Sequence, residues 1–417
     1  MTQHKQQDQS PSLGLDQKAE GDRGGFFALW TASGFSYFVY WASQVAFPLF
    51  ASQLTRSAIL VAGVTFALTV PWLITGLLAG ALVDRYNRRK LLLALSVCRL
   101  SAICLAALAA LLGYGILPVV YAAACIVGIS QTMEEPTFAA LVPMIVPQAR
   151  LDQANRWLKG AQNCIDLLAS LPGSIIGSLS ITLMMGGIEG LAVVELIALL
   201  FLRGSYHPQR MSKHHIAREM FDGLRFVWNQ QVLRTISLMA ATINACWSAY
   251  LAVLVLYAVK PGPMNLTAFE YGLLFTSSSI GGIAGSLSAI PLQRWLGRRW
   301  AIGLNILGNA ALFAAPALSA NPWIIGVAAV LGGFTGPLWS IAAASLIGRS
   351  IPTHMQGRTN AAYSFIGSGA MALGPVFGGL IAQFIGIRSV FIACTCLTLL
   401  MLIPFFGAVT EVAMAGE

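Results

Sequence analysis

Apolar residues in this chain arrive in unbroken blocks of about twenty or more, the length at which a helix rising ~1.5 Å per residue crosses a ~30 Å hydrocarbon core. A soluble fold is excluded by the same pattern, because only 10% of the 417 residues are charged against roughly 25% in soluble domains. A membrane barrel would alternate apolar and polar residues in segments of about ten, and these blocks do not alternate. The sequence therefore predicts an all-α membrane protein with twelve spans, at 26–52, 58–83, 91–112, 116–140, 157–181, 187–203, 233–257, 268–291, 300–319, 322–348, 358–384 and 387–408.

The net charge of +9 reports topology rather than a nucleic-acid partner, since the basic residues sit in short segments between blocks. With the amino terminus inside, 21 lysines and arginines fall on the inner side and only Arg56, Lys260 and Arg388 on the outer, leaving Arg99 within the third span. The positive-inside rule then puts both termini in the cytoplasm of a multi-pass membrane protein. Residues 1–25 and 409–417 read as cytoplasmic tails, the first of them disordered. Residues 204–232 read as a linker between a half at 26–203 and a half at 233–408. Within that linker Met220, Phe221, Leu224, Val227 and Trp228 recur at helical spacing, which predicts an amphipathic helix in the membrane interface. Seven cysteines lie inside apolar blocks without metal-ligand spacing, so neither a metal nor another cofactor is expected.

The two halves repeat. Gly76, Gly80, Asp84-Arg85 and Arg89-Lys90 align with Gly285, Ala289, Gln293-Arg294 and Arg298-Arg299 at an offset of 209, and Pro147, Asn155 and Gly173 align with Pro352, Asn360 and Gly378 at an offset of 205. Duplicated six-helix halves are a common plan for transporters. The stretch Gly80-Ala-Leu82-Val-Asp84-Arg85-Tyr-Asn-Arg88-Arg89-Lys90 resembles the loop signature of the major facilitator superfamily, with Asn87 in place of its second glycine. Val45-Ala46-Phe47-Pro48, Gly357-Arg358-x-Asn360-Ala361-Ala362-Tyr363 and Gly374-Pro375-x-x-Gly378-Gly379 are similar to a subgroup that includes the enterobactin exporter and macrolide efflux proteins. The resemblance implies the major facilitator fold, alternating access, and a gating loop at Asp84, Arg85, Arg88 and Arg89. Members of that subgroup often carry an acid near Tyr40 in the first span, and this chain does not.

Ionisable residues inside spans cost at least ~2.5–3.5 kcal/mol on insertion scales and so need a partner or a wet cavity. Arg99, Glu134, Glu135, Asp166 and Glu195 all lie in the first half. Helical rise puts Arg99, Glu135 and Asp166 each roughly 10–15 Å from the inner surface, where one arginine and several carboxylates can meet. Glu135, Asp166 and Glu134 are the candidate proton-coupling or substrate groups, in that order, with Gln131 on the face of Glu135 and Arg99 as counter-charge or structural ion pair. Glu195 is expected to be structural, relieved by snorkelling. Tyr37, Tyr40, Trp41 and Gln44 in the first span and Asn244, Trp247 and Tyr250 in the seventh are candidate cavity residues, and their aromatic and hydrogen-bonding surface suits an amphiphilic small molecule.

These features point to a monomeric secondary transporter that exchanges protons for a siderophore or hydrophobic drug. Two other readings stand beside it: a lysophospholipid transporter of similar fold, and a membrane receptor that binds without flux. No nucleotide loop, metal cluster or nucleophile motif supports an enzyme.

Overall fold

A computed structural model describes residues 23–74, 83, 86–112, 116–168, 181–204, 206, 216–351 and 356–408. The helices are α1 (Arg23–Leu54), α2 (Ala58–Ile74), α3 (Arg88–Leu112), α4 (Ile116–Ile145), α5 (Leu151–Leu168), α6 (Ile181–Phe201), α7 (Ile216–Asn229) and α8 (Gln231–Ala258). A continuous run from Ala268 to Leu318 breaks at Gly297, where φ is 81°, into α9 (Ala268–Gly297) and α10 (Arg299–Leu318). Such a φ is open to glycine without the Cβ penalty other residues meet, and the break falls in the loop anticipated between the eighth and ninth spans. Then follow α11 (Pro322–Ser350), α12 (Gln356–Phe384), α13 (Ile387–Leu400) and α14 (Leu402–Ala408).

Helices dominate because in lipid each backbone N–H and C=O must be satisfied within its own segment. Among the described residues, α3, α4, α8, α9, α10, α11, α12 and the run Ile387–Gly407 are long and apolar enough to cross a bilayer. The remaining anticipated spans hold α1, α2, α5 and α6.

Small residues set the closest packing, as expected where lipid supplies no hydrophobic drive between helices. A Cβ on Gly281 or Gly285 of α9 would strike the Val330 or Phe334 carbonyl of α11, and one on Gly333 would strike the Ser278 carbonyl of α9. Gly374 of α12 lies equally close to Ala245 and Ser248 of α8. Across the two halves, a Cβ on Gly379 of α12 would come within 2.9 Å of the Ala62 Cβ of α2. Hydrogen bonds join the halves at the same end of the bundle: Arg56 Nη2 donates to the Lys260 carbonyl at 2.9 Å and Ser57 Oγ to Gln383 Oε1 at 3.3 Å.

Within the anticipated linker, α7 buries Val227 against Leu233, Ile347, Ile351 and Ala362, while Trp228 remains exposed. The anticipated amphipathic helix is therefore docked by its apolar side on the ends of α11 and α12.

Candidate functional site

Arg99 of α3 is fully buried, and its guanidinium spans two carboxylates. Nη1 donates to Glu134 Oε2 of α4 at 2.6 Å, and Nη2 is ion-paired with Glu195 of α6. Ser36 of α1 donates to the same Glu134 oxygen at 2.5 Å and accepts from Arg99 Nη1 at 3.3 Å. Four helices of the first half are thus tied at one point. Glu195 does not snorkel: it is 0% exposed, because α6 packs against α1 and α3 and brings the carboxylate inward. With both acids ionised, two carboxylates around one guanidinium carry one negative charge more than they have positive, and a single proton cancels it.

Glu135 faces elsewhere. Successive helical residues are turned by about 100°, so the side chain after Glu134 leaves the buried cluster and enters a cavity of ≈ 170 Å³. Ser36, Tyr37, Gln131, Asn155 and Gln162 line that cavity with it. Gln131 and Glu135 share a wall, as their i, i+4 spacing requires. Ser36 touches both environments, lining the cavity while bonding to Glu134. Pro136 follows inside α4 and cannot donate to the Thr132 carbonyl one turn back, leaving a backbone acceptor beside the pair of acids. Asp166 belongs to α5, but its side chain lies outside the described residues, so the anticipated meeting of Asp166 with Arg99 has no described geometry.

The other candidate cavity residues divide. Tyr37 lines the Glu135 cavity. Asn244 and Trp247 line a second cavity of ≈ 320 Å³ in the other half. Tyr40 and Gln44 are instead buried between helices, where Gln44 Nε2 and Trp72 Nε1 both donate to the Tyr40 hydroxyl, at 2.8 and 3.1 Å. Trp41 packs edge-on against Tyr37 and Tyr40. Tyr250 is likewise buried, within an aromatic cluster with Trp247, Phe313 and Phe391. Their helical faces point into the bundle, a distinction that residue type alone does not carry.

Of the anticipated gating loop, Asp84 and Arg85 lie outside the described residues. Asn87 Oδ1 accepts from the Arg89 and Lys90 backbone N–H groups and so caps α3. Arg88 Nη1 donates to the Ala140 carbonyl near the end of α4 at 3.1 Å, and Arg89 Nη2 to the Leu200 carbonyl at the end of α6 at 3.3 Å. These arginines meet the negative ends of two neighbouring helices of their own half.

Comparison with known proteins agrees with this architecture. The sequence profile of the transmembrane secretion effector family matches residues 22–414. The chain belongs to that family of major facilitator transporters. It is 27% identical to the multidrug efflux pump Tap of Mycolicibacterium fortuitum over 376 residues, covering 86% of this chain and 89% of that one. It is also 27% identical to the enterobactin exporter EntS of Shigella boydii serotype 4 over 358 residues, covering 83% and 82%. Among solved structures, a bacterial homologue of the iron transporter ferroportin in an inward-facing state superposes with a TM-score of 0.69 at 18% identity, covering 92% of this chain and 98% of that one. The nucleoside transporter NupG gives 0.70 at 11% identity, with 93% and 99% covered. These structures share the fold. Family membership makes the chain a multi-pass membrane transporter and not an enzyme.

Proposed function

We propose that this transporter exports a small amphiphilic molecule across the bacterial inner membrane in exchange for protons, acting as a monomer with twelve spans and both termini in the cytoplasm. The observation that carries this reading is Glu135, a carboxylate in a small polar cavity, next in sequence to Glu134 in the buried Arg99 cluster and linked to it through Ser36. A proton reaching Glu135 from the cavity has a short path to a cluster that holds one acid more than it has bases. The names of the relatives, a multidrug efflux pump and an enterobactin exporter, support outward movement of a drug-like or siderophore-like cargo. On this topology the contacts of Arg56 with Lys260 and Ser57 with Gln383 close the outer end, and the loop bearing Arg88 lies at the inner end.

The test is flux from proteoliposomes with an imposed pH gradient, using ethidium and enterobactin as probes. Wild-type protein should move at least one of them faster with the gradient than without it, and Glu135→Gln should lose that acceleration while remaining folded. Gradient-driven flux by Glu135→Gln at the wild-type rate would remove the residue from the mechanism. Movement of lysophospholipid alone, indifferent to pH, would replace the reading with a lipid transporter.

A further inference from the structure

We propose that the second half carries a binding site of its own, a cavity built for an uncharged aryl amide or aryl carbonyl group. The ≈ 320 Å³ cavity is walled by Asn244 of α8, Ser278 of α9, Asn305 and Asn309 of α10, with Trp247 and Trp339 as its aromatic faces. Among the described residues that line it, the phenol of Tyr363 is the one titratable group. Asn305 is 3% exposed, lines the cavity, and its side-chain amide makes no hydrogen bond to any described residue. Asn309 Nδ2 donates to the Asn305 backbone carbonyl at 2.9 Å and Asn244 Nδ2 to the Gly367 carbonyl at 3.2 Å, so both keep their Oδ1 acceptors for another partner. These amide atoms face the cavity and are not sealed within the packing, so three amides turned towards one small space offer hydrogen bonds to a polar occupant.

The internal repeat sharpens the chemistry. By the offsets that relate the two halves, Asn244 and Asn305 fall within a few positions of the places held by Ser36 and Arg99 in the first half. Where the first half has an ionic cluster, the second has neutral amides, which discriminate by hydrogen bonding rather than by charge. Indole rings at Trp247 and Trp339 add flat apolar surface suited to an arene. The volume lies at the small end of ligand pockets, about 300–1,000 Å³, so the site takes one group of an amphiphile rather than the whole molecule. A Cβ on Gly336, also at the cavity wall, would meet no atom within 4 Å, which marks open space that a larger side chain can enter. The proposal rests on the transport reading for its purpose, but not for its test.

The probe is the photoreactive aryl amide 4-azidoacetanilide, irradiated with the full chain in lipid nanodiscs without a pH gradient. Adducts are expected on peptides carrying Trp247, Asn305–Leu312 or Trp339, suppressed by excess acetanilide and not by n-propylbenzene, which lacks the amide. Asn305→Leu should lower that labelling about tenfold, the effect of a hydrogen bond worth 1.4 kcal/mol. Gly336→Leu should lower it by filling the space with the amides intact, and decides the matter where Asn305→Leu does not fold. Labelling is read without a gradient and flux with one, so failure of proton coupling and failure of this site are read separately. Equal competition by propylbenzene, labelling spread over outward-facing helices, or labelling unchanged in Gly336→Leu would overturn the proposal and leave a water-filled gap.

Discussion

Arg99 is held by carboxylates from two different helices, so its removal strands two buried acids at once. Breaking a buried ion pair by deleting one partner costs about 3–5 kcal/mol, and Arg99→Met should lower the melting temperature in detergent sharply. Glu195→Gln keeps the Arg99–Glu134 contact and removes the surplus negative charge, so it should fold with little loss; a fall as large as that of Arg99→Met would show that both acids are needed as charges. Thr267 caps α9 in a reciprocal pair with Glu270. The sequence revealed Arg99 and the acids, because a charge inside an apolar block has few explanations. It could not reveal that Glu195 is Arg99's second partner, since that depends on α6 lying against α3 in three dimensions, nor that Ser36 differs from the other serines of α1.

Element positions were legible from block length, glycine and charge. The break at Gly297 and the docked linker helix α7 both fall where sequence placed a loop and an amphipathic segment. Which face of each helix looks inward was less legible: Tyr40 and Tyr250 have the same chemistry as Tyr37, yet packing buries the first two and gives the third to a cavity. Glycine spacing says more when read against its partner. Because Gly285 abuts the Phe334 carbonyl, Gly285→Val must push α9 from α11, and should reduce the yield of folded protein or lower its melting temperature. The same change at Gly336, with open space before it, should be mild. Similar thermal shifts for both would contradict the close packing of α9 on α11.

At the scale of the whole molecule, two halves meet at the end marked by Arg56, Lys260, Ser57 and Gln383, with α2 and α12 in contact through Gly379. The repeat in sequence made the two halves visible, but not which ends touch, because equal offsets fit either arrangement of a symmetric pair. If protonation in the first half moves the halves against each other, the two ends of the bundle must open and close in turn. Pulsed electron resonance between spin labels in a cysteine-free background measures this directly, with one pair at Tyr86 and Trp295 and the other at Gln53 and Phe384. Between pH 8 and pH 5.5 the two distances should change with opposite sign, and Glu135→Gln should hold both at a single value across that range. Distances that stay fixed in the wild type, or that grow and shrink together, would contradict alternating access driven from Glu135.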